Sequence, residues 1–156
     1  VLAMKRFVAQ ANNLQDAIRH RLVIENDERS YSVADVLSVA DDCGLPVVFD
    51  NLHNRANPSG RIEEQLPRVF RTWRKRDGKP KVHFSSQARG ALVGKHADWV
   101  DSKEFGEMLT LWSRFGEYDV MLEAKRKDAA LKNVLKEYRT KRLNESGDFS
   151  PLRGSK

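Results

Sequence analysis

The sequence predicts an α/β fold, a TIM-type (β/α) barrel represented by only four strand-helix units of its parallel sheet. Three observations carry this expectation: four short apolar runs recur along the chain, an amphipathic helical pattern follows each, and a residue able to bind a metal stands at the end of every run. Strands alternating with helices call for right-handed crossovers, which make the pairing parallel. In a parallel barrel, polar side chains at the C-terminal ends of the strands meet at one mouth, above layers filled by apolar groups. A doubly wound sheet alternates in the same way, but no G-x-G-x-x-G or Walker A segment follows any run here. The 156 residues support a real core yet fall well short of the roughly 250 of a complete barrel.

Before the first run, Met4, Phe7, Val8, Ala11, Leu14 and Ile18 share one helical face, with His20 expected inside the same helix in a structural role. The strands are expected at 22–24, 46–49, Lys81–Phe84 and Asp119–Leu122. After the first, Ser32 and Asp35 have capping-box spacing, Val33, Val36, Leu37, Ala40 and Cys43 form the stripe, and Gly44 is the stop. The next helix turns Ile62, Leu66, Val69, Phe70 and Trp73 inward, and Pro67 is expected to bend or break its first turn. The third starts at an Asp101 to Glu104 capping box, buries Phe105, Met108, Leu109, Trp112 and Phe115, and stops at Gly116; the fourth uses Leu131, Val134, Leu135 and Tyr138. Residues 1–144 thus form one unit, and the polar, Gly- and Ser-containing stretch 145–156 is expected to be a flexible tail.

With 40% hydrophobic and 32% charged residues, the composition is that of a globular domain, and no apolar run approaches the roughly 18 residues that span a bilayer. No signal-peptide pattern is present, and the single cysteine, Cys43, excludes an internal disulfide framework. An intracellular setting is expected, cytoplasmic in a bacterium and nuclear in a eukaryote. The net charge of +6 and pI of about 9.6 favour polyanionic partners. Part of that excess, Lys136, Arg139, Lys141, Arg142, Arg153 and Lys156, reads as solvated tail.

The chemistry concentrates at the strand ends, where Glu25, Asp50, His83 and Glu123 stand. Side chains alternate along a strand, so Val23 with Glu25, Val48 with Asp50, Lys81 with His83, and Met121 with Glu123 share a face. His53 follows Asp50 by three residues, close enough for both to turn toward one ion, and His96 lies in the long loop 85–100. Each alone has an ordinary reading: Glu25 or Glu123 can pair with a neighbouring Arg or Lys, and His83 can be a hydrogen-bonded core histidine. Gathered at one mouth, they would repel one another and cost too much to desolvate without cations. Mixed carboxylate and imidazole ligands suit Mn, Fe(II) or Zn better than Ca or a thiolate-bound zinc. Lys81 points into the same mouth, either as an ion-pair partner of Asp50 or Glu25 or, if carbamylated, as an anionic ligand. Arg29, Arg55, Arg89, Lys95, Lys125 and Arg126 lie in or near the loops after the strands, as phosphate contacts or as ordinary solvated charges.

Five segments, Leu22-Val-Ile-Glu-Asn-Asp27, Val48-Phe-Asp-Asn-Leu-His53, Lys81-Val-His-Phe-Ser-Ser86, Gly94-Lys-His-Ala-Asp-Trp99 and Asp119-Val-Met-Leu-Glu-Ala-Lys-Arg-Lys-Asp128, resemble the UV damage endonuclease family in content, order and spacing. The resemblance runs from the first helix to about Tyr138 and corresponds to the C-terminal half of the family's barrel. It implies a DNA-repair endonuclease that cuts duplex DNA 5′ to UV photoproducts by divalent-metal-assisted hydrolysis. It further implies Glu25, Asp50, His53, His83, His96 and Glu123 as ligands of a manganese-type cluster (Zn or Mg being the alternatives). Lys81 stands where the family can carry a carboxylated lysine bridging metals, and Lys81, Glu25 and Glu123 form the catalytic set. The remaining histidine ligands and the residues that probe damaged bases belong to the family's N-terminal half. A fragment of this kind is expected to be inactive alone and either to self-associate or to pair with that half. Two other readings are a metal-dependent sugar isomerase or epimerase of the xylose isomerase-like barrels, and a noncatalytic DNA-binding fragment. Basic charge and the Lys-x-His strand weigh against the first.

Overall fold

A four-stranded parallel sheet, in the order β1 (Ile24–Glu25), β2 (Val47–Asp50), β3 (Lys81–Phe84), β4 (Asp119–Leu122), organises the chain. The structure is a computed structural model that describes residues 2–146. Helices α1 (Leu2–Asn12) and α2 (Asp16–Arg19) precede β1, α3 (Val33–Cys43) follows it, and α4 (Asn51–Ala56) and α5 (Ile62–Thr72) follow β2. Helix α6 (Ser102–Trp112) follows β3 and α7 (Lys127–Ser146) follows β4. Sequential strand order with a helix after every strand is the repeating unit of a TIM-type barrel. Among the described residues, no helix is long and apolar enough to cross a membrane.

The register assigns the two faces. Ile24 lies beside Val47, Phe49 beside Val82, and Phe84 beside Leu122; these residues pack with α3, α5, α6 and α7 into one core. Its centre is aromatic: fully buried Trp112 meets Phe49, Phe84 and Tyr118 edge-on at ring separations of 6.3, 6.1 and 5.8 Å, the arrangement that ring quadrupoles favour. The opposite face carries Glu25 beside Val48, Asp50 beside His83, and His83 beside Met121. It is more open: Met121 on it is 52% exposed.

Helix α3 forms as its caps require. Ser32 Oγ accepts the Asp35 N–H while the Asp35 carboxylate accepts the Ser32 N–H, and Gly44 ends the helix in the left-handed region at φ 68°. Cys43 is buried, packed with Ala11, Val39 and Leu45. At α6 the box is only half formed. Asp101 accepts from the Lys103 and Glu104 N–H groups, but its own N–H donates to Ser86 Oγ, because the Glu104 carboxylate is bonded to Ser86 Oγ and Arg55.

Four local expectations are corrected. The first helix is two, since Arg19 folds back to donate to Ala11 O and Asn12 Oδ1 at the end of α1 and to Cys43 O at the end of α3. Phe7 and Ile18 are consequently exposed, and His20 is the C-cap of α2. Strand β1 is shorter and later than expected, with Val23 exposed outside it. Pro67 leaves α5 continuous; a proline inside a helix costs about 3 kcal/mol, which full burial of Leu66 and Val69 offsets at roughly 1.5–3 kcal/mol each. Helix α7, among its described side chains, buries Ala130 and Val134 and leaves Leu131 and Leu135 exposed, and it continues past 144 to Ser146. The rest of the expected tail, 147–156 with Arg153 and Lys156, lies outside the described residues.

The α3 caps should be measurable contributors to stability. Ser32→Ala is expected to cost about 1 kcal/mol and Gly44→Ala about 1–2 kcal/mol, because a side chain at φ 68° is strained and would lie 3.2 Å from the Arg74 guanidinium. Urea unfolding midpoints of the two variants against the parent check both values.

Candidate metal centre

The C-terminal ends of the strands bring six side chains together. Glu25 Oε1 lies 3.3 Å from His83 Nδ1 and 3.3 Å from His53 Nδ1. On the other side, Glu123 Oε1 is 3.5 Å from His83 Nδ1, and its Oε2 is 3.6 Å from His96 Nδ1. Asp50 Oδ1 is 3.9 Å from His53 Nδ1, and ligand atoms of Glu25, Asp50 and His83 all lie within 4.8 Å of one another. The His53 and His96 rings stand 6.1 Å apart.

Local structure explains each placement. Pairing of Asp50 with His83 puts both on one face at one height, and Glu123 extends β4 through its N–H bond to Phe84 O. Asp50 is also the N-cap of α4, accepting the His53 N–H at 2.7 Å, so the carboxylate that ends β2 starts the turn that delivers His53. His53 Nδ1 sits 2.9 Å from Asn26 O; donation there would free Nε2 for a cation. His96 is placed by its loop: Gln87 bridges His96 antiparallel, Ala97 donates to Ser86 O, and Gly94 donates to Gln87 Oε1. Lys125 and Arg126 N–H groups bond Ala97 O and Asp98 O, tying that loop to the chain after β4.

The electrostatics are those of a site built for positive charge. Asp50 is fully buried, and its Oδ2 has no hydrogen-bond partner among the described residues. Burial pushes its carboxyl above the usual range, the His53 N–H and ring pull it down, and Glu25 and Glu123 push it up again. Burial drives His83 down, yet the carboxylates of Glu25, Glu123 and Asp50 together hold it above its ordinary value. His83 Nδ1 lies between the two carboxylates, 3.3 Å from Glu25 and 3.5 Å from Glu123, and makes no well-aligned hydrogen bond among the described residues. A buried carboxylate oxygen and a buried imidazole nitrogen without hydrogen bonds among the described residues, in a set whose ligand atoms lie within 4.8 Å of one another, could hold a divalent cation.

Lys81 is placed differently from expectation. Its Nζ donates to Lys79 O, stands 3.6 Å from Asp119 Oδ2 and lies 5.0 Å above the Trp73 ring. The ion pair expected with Asp50 or Glu25 is therefore made with Asp119, the residue beside Lys81 in the β3–β4 register. Of the basic loop residues, Arg55 pairs with Glu104, while Lys125 and Arg126 flank Asp98 at 3.8 and 3.7 Å. Arg29, Arg89 and Lys95 are exposed and make no ion pair among the described residues.

Sequence reasoning passed over three residues of the site. Glu28 Oε2 lies 4.0 Å from His53 Nε2, and its side chain packs on Gly94 of the His96 loop, where a Cβ would meet it at 3.0 Å. Asn26 and Asn51 are buried and bonded to backbone of the next strand. Their signal was the repeated carboxylate-asparagine step, Glu25-Asn26 and Asp50-Asn51.

Residues 2–149 match the family model described as UV-endonuclease UvdE. The UV DNA damage endonucleases of Bacillus velezensis and Clostridium perfringens are 38% and 40% identical to this chain, over 86% and 87% of it but only 43% and 34% of their own lengths. The crystal structure of SacUVDE aligns with a TM-score of 0.76 and 33% identity, covering 94% of this chain and 47% of that one. The chain thus spans less than half the length of these relatives, and its four parallel βα units correspond to about half of a UvdE TIM barrel. With nearly its whole length matched by the family model, the chain belongs to the UV-endonuclease UvdE family.

Proposed function

We propose that this chain carries most of the metal site of a DNA-repair endonuclease that cleaves duplex DNA 5′ to UV photoproducts by divalent-metal-assisted hydrolysis. The observation that supports the reading best is the convergence of Glu25, Asp50, His53, His83, His96 and Glu123, with Asp50 Oδ2 and His83 Nδ1 buried and without a hydrogen bond among the described residues. These six side chains are the ligands. Divalent cations, manganese first and zinc or magnesium as alternatives, supply Lewis-acid polarisation of the phosphodiester and acidification of a water when bound. Glu25 and Glu123 each face two imidazoles, and both would hold a cation together with them. Lys81 would join the set once its amine loses its charge and takes up carbon dioxide as an anionic carbamate, releasing two protons to solvent and exchanging its Asp119 partner for the cluster.

The basic residues around the mouth take the DNA backbone. Arg29, Arg89 and Lys95 are free to meet phosphates, while Arg55, Lys125 and Arg126 first release Glu104 or Asp98. Strands β1 and β4 each have one neighbour in the sheet among the described residues, so the reading includes a partner for both edges, the remaining half of the barrel or a second copy. The chain alone is accordingly expected to leave UV-irradiated supercoiled plasmid intact, and together with the rest of its barrel to nick it in the presence of Mn²⁺. Nicking of unirradiated plasmid at the same rate would overturn the substrate assignment.

The titration of the cluster has a definite sign. Asp50 and His83 both have folded values above their ordinary ones, so both bind protons more tightly folded than unfolded. The stability they contribute is present at low pH and is lost as pH rises through the folded values. Cations replace those protons. The rise in thermal midpoint on adding Mn²⁺ is therefore expected to grow across the histidine range, about pH 5 to 8, and to vanish in Asp50→Asn. A Mn²⁺ shift that does not change with pH would count against the ligand set.

For the basic residues, Arg89→Ala and Lys95→Ala are each expected to weaken duplex binding similarly across sequences and to lower the salt slope by about 1. Arg68→Ala, whose side chain is paired with Asp41, should leave the slope unchanged. Fluorescence anisotropy at several salt concentrations reads all three.

A further inference from the structure

Two buried asparagines hold the strand ends together through one repeated device. Asn26, 1% exposed, donates from Nδ2 to Asp50 O at 3.1 Å and accepts the Asp50 N–H on Oδ1 at 3.0 Å. One strand over, Asn51 donates from Nδ2 to Ser85 O at 3.1 Å and accepts the Ser85 N–H on Oδ1 at 2.9 Å. In a parallel sheet a residue presents its N–H and C=O to the same neighbouring strand. Where that neighbour ends, both groups would be buried without partners. A carboxamide carries the same donor and acceptor as a peptide group, so each asparagine side chain substitutes for the missing backbone of its own strand.

The placement relative to the cluster gives the device its meaning. Asn26 follows Glu25 and binds Asp50; Asn51 follows Asp50 and binds Ser85, two residues past His83. The backbone carbonyl of Asn26 also takes His53 Nδ1. Strands β1, β2 and β3 are thereby locked at the height of Glu25, Asp50 and His83, although their regular pairing has already stopped or is about to.

We propose that Asn26 and Asn51 are positioning residues for the cation site, two carboxamide clamps that set the spacing of Glu25, Asp50 and His83 without touching the cation. The proposal rests on the metal reading above for its purpose and on the four hydrogen bonds for its geometry. Aspartate at either position keeps the shape and removes the donor, and alanine removes donor and acceptor. Aspartate also adds negative charge, which by itself would draw cations in, so weaker binding in that variant reflects lost position.

The test uses Asn26→Asp, Asn26→Ala, Asn51→Asp and Asn51→Ala in the whole chain, two variants at each position so that one that folds suffices. Amide hydrogen exchange without metal is expected to quicken at Asp50 in the Asn26 variants and at Ser85 in the Asn51 variants, with the Val82 amide unchanged. Mn²⁺ affinity, read from the free-ion electron paramagnetic resonance signal, is expected to fall about 10–100-fold, the usual effect of losing a group that orients a ligand. Gln65→Glu, at a buried amide bonded to Ser59 Oγ outside the cluster, should lose stability without losing Mn²⁺ affinity. Unchanged exchange at Asp50 or Ser85, or wild-type Mn²⁺ affinity in a folded variant, would overturn the clamp at that asparagine. If the wild-type chain takes up no Mn²⁺, the metal reading fails, and the exchange rates alone decide the clamp.

Discussion

The fully buried carboxylate of Asp50 is the constraint on which the rest depends. An ionised carboxylate in a protein interior carries a desolvation cost of several kcal/mol unless donors or cations surround it. One donor comes from the first turn of α4, and both backbone groups of Asp50 are taken by Asn26. The other carboxylate oxygen has no hydrogen-bond partner among the described residues, in a residue whose ligand atom lies within 4.8 Å of those of Glu25 and His83. Placing Asp50 at the end of β2 therefore couples strand pairing, the start of a helix and the polarity of the mouth in one residue.

That coupling works because the two faces of the sheet do different jobs. On the helix-covered face, Phe49, Val82 and Phe84 are immobilised against Trp112 and Phe105. The residues between them in sequence, Asp50 and His83, then have their directions set by strand alternation. A dense aromatic layer resists small displacements, so the polar face inherits rigidity from the apolar one. The loops add to it: the His96 loop is closed on itself by the Ala97 N–H bond to Ser86 O and tied to the chain after β4 through Ala97 and Asp98.

Charge is distributed with the same economy. Carboxylates are concentrated at the strand ends, while Arg55 of α4 is held by Glu104 and Lys125 and Arg126 after β4 are held by Asp98. The net charge of +6 is thus less informative than its arrangement, which only folding creates.

The parity of the strands was readable from the chain itself, because alternation makes Glu25, Asp50, His83 and Glu123 share a face once their strands are recognised. So were the α3 caps and the burial of Cys43, which follow from local chemistry at neighbouring residues. What local pattern could not supply was any contact between distant residues. The break between α1 and α2 depends on Arg19 reaching Cys43, and the turn of Lys81 toward Asp119 depends on the β3–β4 register. The bonds of Asn26 and Asn51 to neighbouring backbone exist only once the next strand lies beside them. Sequence by itself determined which residues could face one another, since that is set by covalent geometry and the period of the strand. Only the tertiary structure decided which of them do, because hydrogen bonds and ion pairs across strands exist only when the register brings donor and acceptor within about 3 Å.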